Sequence, residues 1–104
     1  MKLIRDNIHN YIEDKSTVFQ LERMNDLSLV EVLKDKLREE TAEVIAATGD
    51  DLLIELADVY EVLRSICVHS GWTIGELHDA ADNKRAHLGG FSNRWFLRED
   101  ELKR

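Results

Sequence analysis

The chain has 104 residues, which fits one domain and buries only about two-thirds of the surface that the unfolded chain exposes. Acidic residues outnumber basic residues by 21 to 14, and the formal net charge is −7. This charge repels a phosphate backbone and argues against a protein that binds DNA or RNA. A charged start, and apolar runs much shorter than the roughly 20 residues that cross a bilayer, predict a soluble, cytoplasmic protein.

Helix is predicted for most of the chain, because the sequence has no proline and only five glycines. Apolar residues at helical spacing predict a first short helix near Leu3 to Asp14. A capping box formed by Ser28 and Glu31 predicts the start of a second helix. This second helix is expected to end near Thr48, before Gly49.

Two more helices are predicted in the second half of the chain. The third covers about Asp51–Ser70, and its apolar residues lie on nearly every side, which indicates a central position in the fold. A capping box of Thr73 and Glu76 predicts a fourth helix that continues to about Leu88. The sequence therefore predicts an all-α fold with residues 1–104 in one domain: a four-helix bundle, based on a helical hairpin and completed by oligomerisation.

Two acidic pairs occupy positions on the apolar sides of their helices. Glu40 falls within the apolar seam of the second helix, and Glu43 borders that seam. On the third helix, Glu55 and Asp58 are interleaved with core-facing residues. Four such carboxylates would repel one another strongly unless a cation lay among them. Since only oxygen ligands are involved, the pattern favours Mg²⁺ or Mn²⁺.

Other acidic residues and the lone cysteine receive ordinary interpretations. Glu39, Asp50 and Asp51 are expected to be solvated or to cap a helix, whereas Glu61 is intermediate and is a candidate for a further ligand. A di-iron bundle would need Glu-x-x-His pairs, and the sequence has none. Cys67 lies in an apolar helical run and is expected to be a small buried side chain.

Three motifs resemble a known family. EETAE at residues 39–43, followed after eleven residues by ELAD at 55–58, resembles the Glu-Glu-x-x-Glu and Glu-x-x-Asp signature of the MazG-like all-α nucleoside-triphosphate pyrophosphohydrolases. KLIRDNI at 2–8 and KRAHLGGFSNRWFL at 84–97 are similar to the phosphoribosyl-ATP-pyrophosphohydrolase-like branch of that superfamily. The resemblance covers nearly the whole chain, although the spacing between the acidic motifs is at the short end of the pattern.

The resemblance implies Mg²⁺-dependent hydrolysis of a nucleoside triphosphate to the monophosphate and pyrophosphate, with sanitation of the nucleotide pool as its context. Metal binding and catalysis would then fall to Glu40, Glu43, Glu55 and Asp58. Similarity to the terminal motifs suggests these substrate-binding residues: Lys84, Arg5, Asn83 and Arg85. Relatives of this family commonly form homodimers or dimers of dimers, which suggests the same for this chain.

The same motifs leave several alternatives open. The first is a catalytically idle relative that binds nucleotide or a protein partner. The second is a structural oligomerising bundle, in which acids on the apolar sides of helices would have no explanation. The motifs also do not select a substrate among dUTP, dCTP, modified nucleotides and phosphoribosyl-ATP, and they do not assign the general base.

Overall fold

The computed structural model describes residues 2–8 and 21–98. These residues form three α-helices and no β-strand: α1 (Asp26–Ala46), α2 (Asp50–His69) and α3 (Ile74–Leu88). The predicted all-α class is confirmed, whereas the four-helix bundle and its completion by oligomerisation stay predictions. Among the described helices, none is both long and apolar enough to cross a membrane.

The chain divides into two compact units, Met1–Ile74 and Gly75–Arg104. The first contains α1 and α2, and the second contains most of α3 and the segment that follows it. In the second unit, α3 ends where Gly89 adopts a φ of +79° and its amide donates a hydrogen bond to the Arg85 carbonyl at 2.8 Å. The predicted glycine stop is thus confirmed. The expectation of one domain over residues 1–104 stays a prediction.

Helix α1 begins two residues before the predicted capping box. The Asn25 side chain accepts a hydrogen bond from the Ser28 amide at 2.9 Å, so Asn25 is the N-cap and Ser28 is the third helical residue. The prediction of Ser28 as the cap is wrong. Asparagine caps a helix as well as serine does, and starting at Asn25 adds nearly another turn to α1.

A short connection joins α1 and α2 into a helical hairpin. Gly49 precedes α2 with a φ of +60°, which L side chains rarely adopt. At the other end of α2, Gly71 has a φ of +99°. The predicted breaks at Gly49 and Gly71 are confirmed, and the predicted extent of α2 is confirmed to within a residue or two. Because the connection is short, the end of α1 lies beside the start of α2.

The hairpin has a small core. Among the described residues, Leu33, Val62 and Cys67 are the buried apolar side chains, with exposed fractions of 5%, 7% and 6%. The expected burial of Cys67 is confirmed. The predicted central position of α2 is not observed, since Leu53 and Ile54 are 73% and 60% exposed. Helix α1 covers one side of α2 and leaves these apolar residues on another side.

Residues 2–8 form an irregular segment with a turn, closed by a hydrogen bond of 3.1 Å from the Ile8 amide to the Arg5 carbonyl. The prediction of a helix near Leu3 to Asp14 is wrong over residues 3–7; Ile8 is in a 3₁₀ conformation, and residues 9–14 lie outside the described residues. A helix of that length is marginal by itself in water, so packing against the hairpin decides the conformation.

Candidate metal centre

Three carboxylates converge between the helices of the hairpin. One carboxylate oxygen from each of Glu40, Glu55 and Asp58 lies within 4.8 Å of the other two, and all three residues are partly buried. Mg²⁺ binds oxygen at about 2.1 Å, so two of its ligand oxygens lie roughly 3–4 Å apart. The three oxygens therefore need only small side-chain adjustments to share one ion. A set of carboxylate oxygens also has the chemistry that a hard divalent cation prefers.

The secondary structure explains this convergence. Glu55 and Asp58 are three residues apart on α2, which places them on one side of that helix. Buried Val62 follows Asp58 by four residues, so the same side of α2 meets α1. Glu40 lies seven residues after buried Leu33 on α1 and faces α2 for the same reason.

The electrostatics of Glu55 reflect the crowding of negative charge. Its pKa is raised above the ordinary value of 4.5, first by partial burial and then by the charges of Asp58, Glu43, Glu40 and Asp51. Both causes disfavour the ionised carboxylate. No described basic side chain forms an ion pair with Glu55, so an added cation would relieve this charge directly.

Glu43 lies outside the converging group, although it was predicted to be a fourth ligand. It is exposed, and the described cluster of oxygens within 4.8 Å does not include its carboxylate. Three residues advance a helix by about 300°, so Glu43 lies about 60° around α1 from Glu40. Its charge still reaches the site, since it contributes to the raised pKa of Glu55. The structure thus brings together three of the four predicted carboxylates, and ligation by Glu43 stays a prediction.

Two basic side chains pair with members of the cluster. Arg5 Nη2 lies 2.6 Å from Asp58 Oδ1, and Lys36 Nζ lies 3.2 Å from Glu40 Oε1. Arg5 was predicted as a substrate-binding residue, whereas the sequence reasoning missed Lys36. The spacing of four residues from Lys36 to Glu40 on one helix was the available signal.

A cleft of about 670 Å³ adjoins the cluster, within the range of roughly 300–1,000 Å³ that is usual for small-molecule sites. Residues 2–8 form one side of it and the hairpin forms the other. Its charged lining includes three basic residues and three of the acidic residues discussed above: Lys2, Arg5, Lys36, Glu40, Asp58 and Glu61. The cleft thus presents both signs of charge next to the converging carboxylates.

The remaining acidic candidates differ in position. Glu61 lines the cleft and accepts a hydrogen bond of 3.3 Å from the Ser65 hydroxyl, but it is not one of the three converging residues. Glu39 is exposed and lies 3.5 Å from Lys36 Nζ, which confirms its expected solvated position. Glu61 therefore remains intermediate, beside the site without joining the cluster.

The other predicted substrate-binding residues belong to α3 in the second unit. The Asn83 carbonyl accepts a hydrogen bond of 2.8 Å from His87 Nδ1. The Arg85 guanidinium lies beside Gly90, 3.8 Å from the position that a Cβ atom would take there. The roles of Asn83, Lys84 and Arg85 in substrate binding stay predictions.

Comparison of the chain with family models, curated proteins and solved structures gave no match. The resemblance to the MazG-like superfamily therefore rests on the motifs of the sequence, and the geometry of the acidic cluster is a separate observation.

Proposed function

We propose that the chain is a Mg²⁺-dependent pyrophosphohydrolase of the MazG-like type, which converts a nucleoside triphosphate to the monophosphate and pyrophosphate. The observation that carries this proposal is the convergence of Glu40, Glu55 and Asp58 from two helices beside a cleft. Acids on an ordinary solvated face would spread apart to reduce repulsion. Sanitation of the cytoplasmic nucleotide pool is the proposed context.

In this proposal, Glu40, Glu55 and Asp58 hold Mg²⁺ (or Mn²⁺), and Glu43 completes the ligand set from the edge of α1. Bound Mg²⁺ would neutralise charge on phosphate oxygens and lower the pKa of a coordinated water. A carboxylate of the same cluster would accept the proton of the attacking water.

The basic residues of the site are proposed to bind the phosphates. Arg5 and Lys36 line the cleft beside the carboxylates, where they offset the charge of a triphosphate. Separately, the resemblance to the family proposes Lys84, Arg85 and Asn83 of α3 as further substrate-binding residues. An acidic chain needs such local positive charge in order to bind a polyphosphate at all.

Exposed apolar surface supports the proposal of a homodimer or a dimer of dimers. Leu53 and Ile54 on α2 are mostly exposed, and in the second unit Phe91, Trp95 and Phe96 are 96%, 90% and 88% exposed. Within each unit, large apolar side chains that are left exposed usually mark a surface that another molecule covers. A second copy of the chain is the proposed occupant, since most oligomers of this kind are symmetric.

A panel of canonical and modified triphosphates, incubated with the protein and Mg²⁺, tests the activity. Pyrophosphate is expected as the initial product, and a chelator should abolish its release. Glu55→Gln should lower turnover by orders of magnitude, whereas Asp35→Asn, on the exposed side of α1, should not. Orthophosphate as the first product, or full turnover in chelator, would refute the proposal. Triphosphate binding without turnover would support the idle relative instead.

A further inference from the structure

The ion pair between Arg5 and Asp58 connects the segment of residues 2–8 to the acidic cluster. We propose that Arg5 is a displaceable counterion: Arg5 and a divalent cation compete for Asp58, and metal binding releases the guanidinium into the cleft. This inference rests on the proposed metal site and adds a coupling between that site and the N-terminal segment.

The geometry makes the competition direct. Arg5 Nη2 lies 2.6 Å from Asp58 Oδ1, and an oxygen of Asp58 lies within 4.8 Å of oxygens from Glu40 and Glu55. A divalent ion shared by these oxygens would place two positive charges a few ångströms from the guanidinium. The two cations would repel each other on one small carboxylate, whichever of its oxygens the ion took.

Arg5 is the more easily displaced of the two basic partners of the cluster. The side chains of Arg5 and Asp58 are 56% and 36% exposed, so water can replace the ion pair at little cost. The side chains of Lys36 and Glu40 are 20% and 14% exposed and belong to the same helix. Lys36 therefore stays near the cluster, while the exposed Arg5 side chain can turn away from Asp58 and remain in the cleft.

Displacement would also prepare the cleft for an anion. Arg5 lines the cleft, and its guanidinium offers paired N–H donors that match phosphate oxygens. When Arg5 is paired with Asp58, Nη2 donates to the protein's own carboxylate and the guanidinium is held beside the acidic cluster. Metal binding thus turns an internal ion pair into a free phosphate-binding group, so that the ion and the phosphate favour each other's binding.

Calorimetric titration of the substrate-free protein with Mn²⁺ tests the competition. Arg5→Gln should bind Mn²⁺ about two- to fivefold more tightly than Lys2→Gln, which removes the same charge from the same segment. Lys2 lines the same cleft, but it is Arg5 that pairs with Asp58. In the wild-type protein, the ¹⁵Nε resonance of Arg5 should shift as Mg²⁺ is added.

The outcomes separate this inference from the proposed function. Equal Mn²⁺ affinities for Arg5→Gln and Lys2→Gln, or an Arg5 resonance that does not respond to Mg²⁺, would overturn the competition. The metal site itself would still stand if Asp58→Asn weakened Mn²⁺ binding in the same titration. If Asp58→Asn binds Mn²⁺ as well as the wild-type protein does, the metal site is wrong and the competition fails with it.

Discussion

The substitution Asp58→Asn probes the metal centre because it preserves the shape of the side chain and removes one charge. In chelator it has two opposing effects on stability. It removes the 2.6 Å ion pair with Arg5, which for an exposed pair is worth about 0.2–1 kcal/mol. It also removes repulsion by Glu40 and Glu55, whose oxygens lie within 4.8 Å; at that separation each pair of unit charges in water interacts by about 0.9 kcal/mol. The relief of two repulsions is at least as large as the loss of the ion pair, so the variant should melt no lower than the wild-type protein in chelator.

Mg²⁺ should raise the Tm of the wild-type protein more than the Tm of Asp58→Asn. An ion that binds only the folded state at ten times its Kd adds about 1.4 kcal/mol to the free energy of unfolding. For a domain of this size, that gain raises the Tm by roughly 5–10 °C. The wild-type protein should show this rise, whereas Asp58→Asn lacks one of three converging carboxylates and should show much less of it.

Calorimetric melting in chelator, and then at increasing Mg²⁺ concentrations, gives the Tm of each protein without the ion and the rise in Tm that the ion causes. Asp35→Asn is the matched control, because it removes another Asp–Arg pair of 2.6 Å, to Arg38, on the exposed side of α1. This control should keep the full Mg²⁺-dependent rise. If the wild-type protein gains no more from Mg²⁺ than Asp58→Asn does, the three-carboxylate metal site is refuted.

Four other substitutions test separate parts of the molecule. The raised pKa of Glu55 means that its contribution to stability is fully present below the ordinary value of 4.5 and lost as the pH rises through the folded-state pKa. In chelator, Glu55→Gln should therefore flatten the fall of the Tm as the pH rises above 4.5; an unchanged slope would contradict this. Arg5→Ala and Lys84→Ala should raise KM for the triphosphate while retaining the Mg²⁺-dependent rise in Tm, and wild-type kinetics in both would remove them from the site. Leu33→Ala, at a side chain only 5% exposed, should lower the free energy of unfolding by about 2–5 kcal/mol in denaturant titrations, and a loss well below this would show that the hairpin core lies elsewhere.

Local signals predicted most of the helix boundaries. Gly49 and Gly71 mark the ends of α2 because their positive φ angles are a local requirement of the backbone. Thr73 lies directly before α3, where its capping box predicted the start. The observed N-cap of α1, Asn25, lies three residues before the predicted one, Ser28. Both residue types are good caps, so their local preferences do not decide between them.

The sequence by itself also determined which acids face the hairpin interior, since helical periodicity relates Glu40, Glu55 and Asp58 to their apolar neighbours. Only the tertiary structure decided that Glu43 lies apart from them and that Arg5 reaches Asp58 from 53 residues away. The distance in space between two residues so far apart in the sequence depends on how residues 2–8 pack against the hairpin. The spacing of residues along one helix does not determine that packing. The apolar pattern of α2 predicted hydrophobic residues on several sides of the helix. Which of those sides α1 covers, and which is left exposed, also depends on tertiary packing.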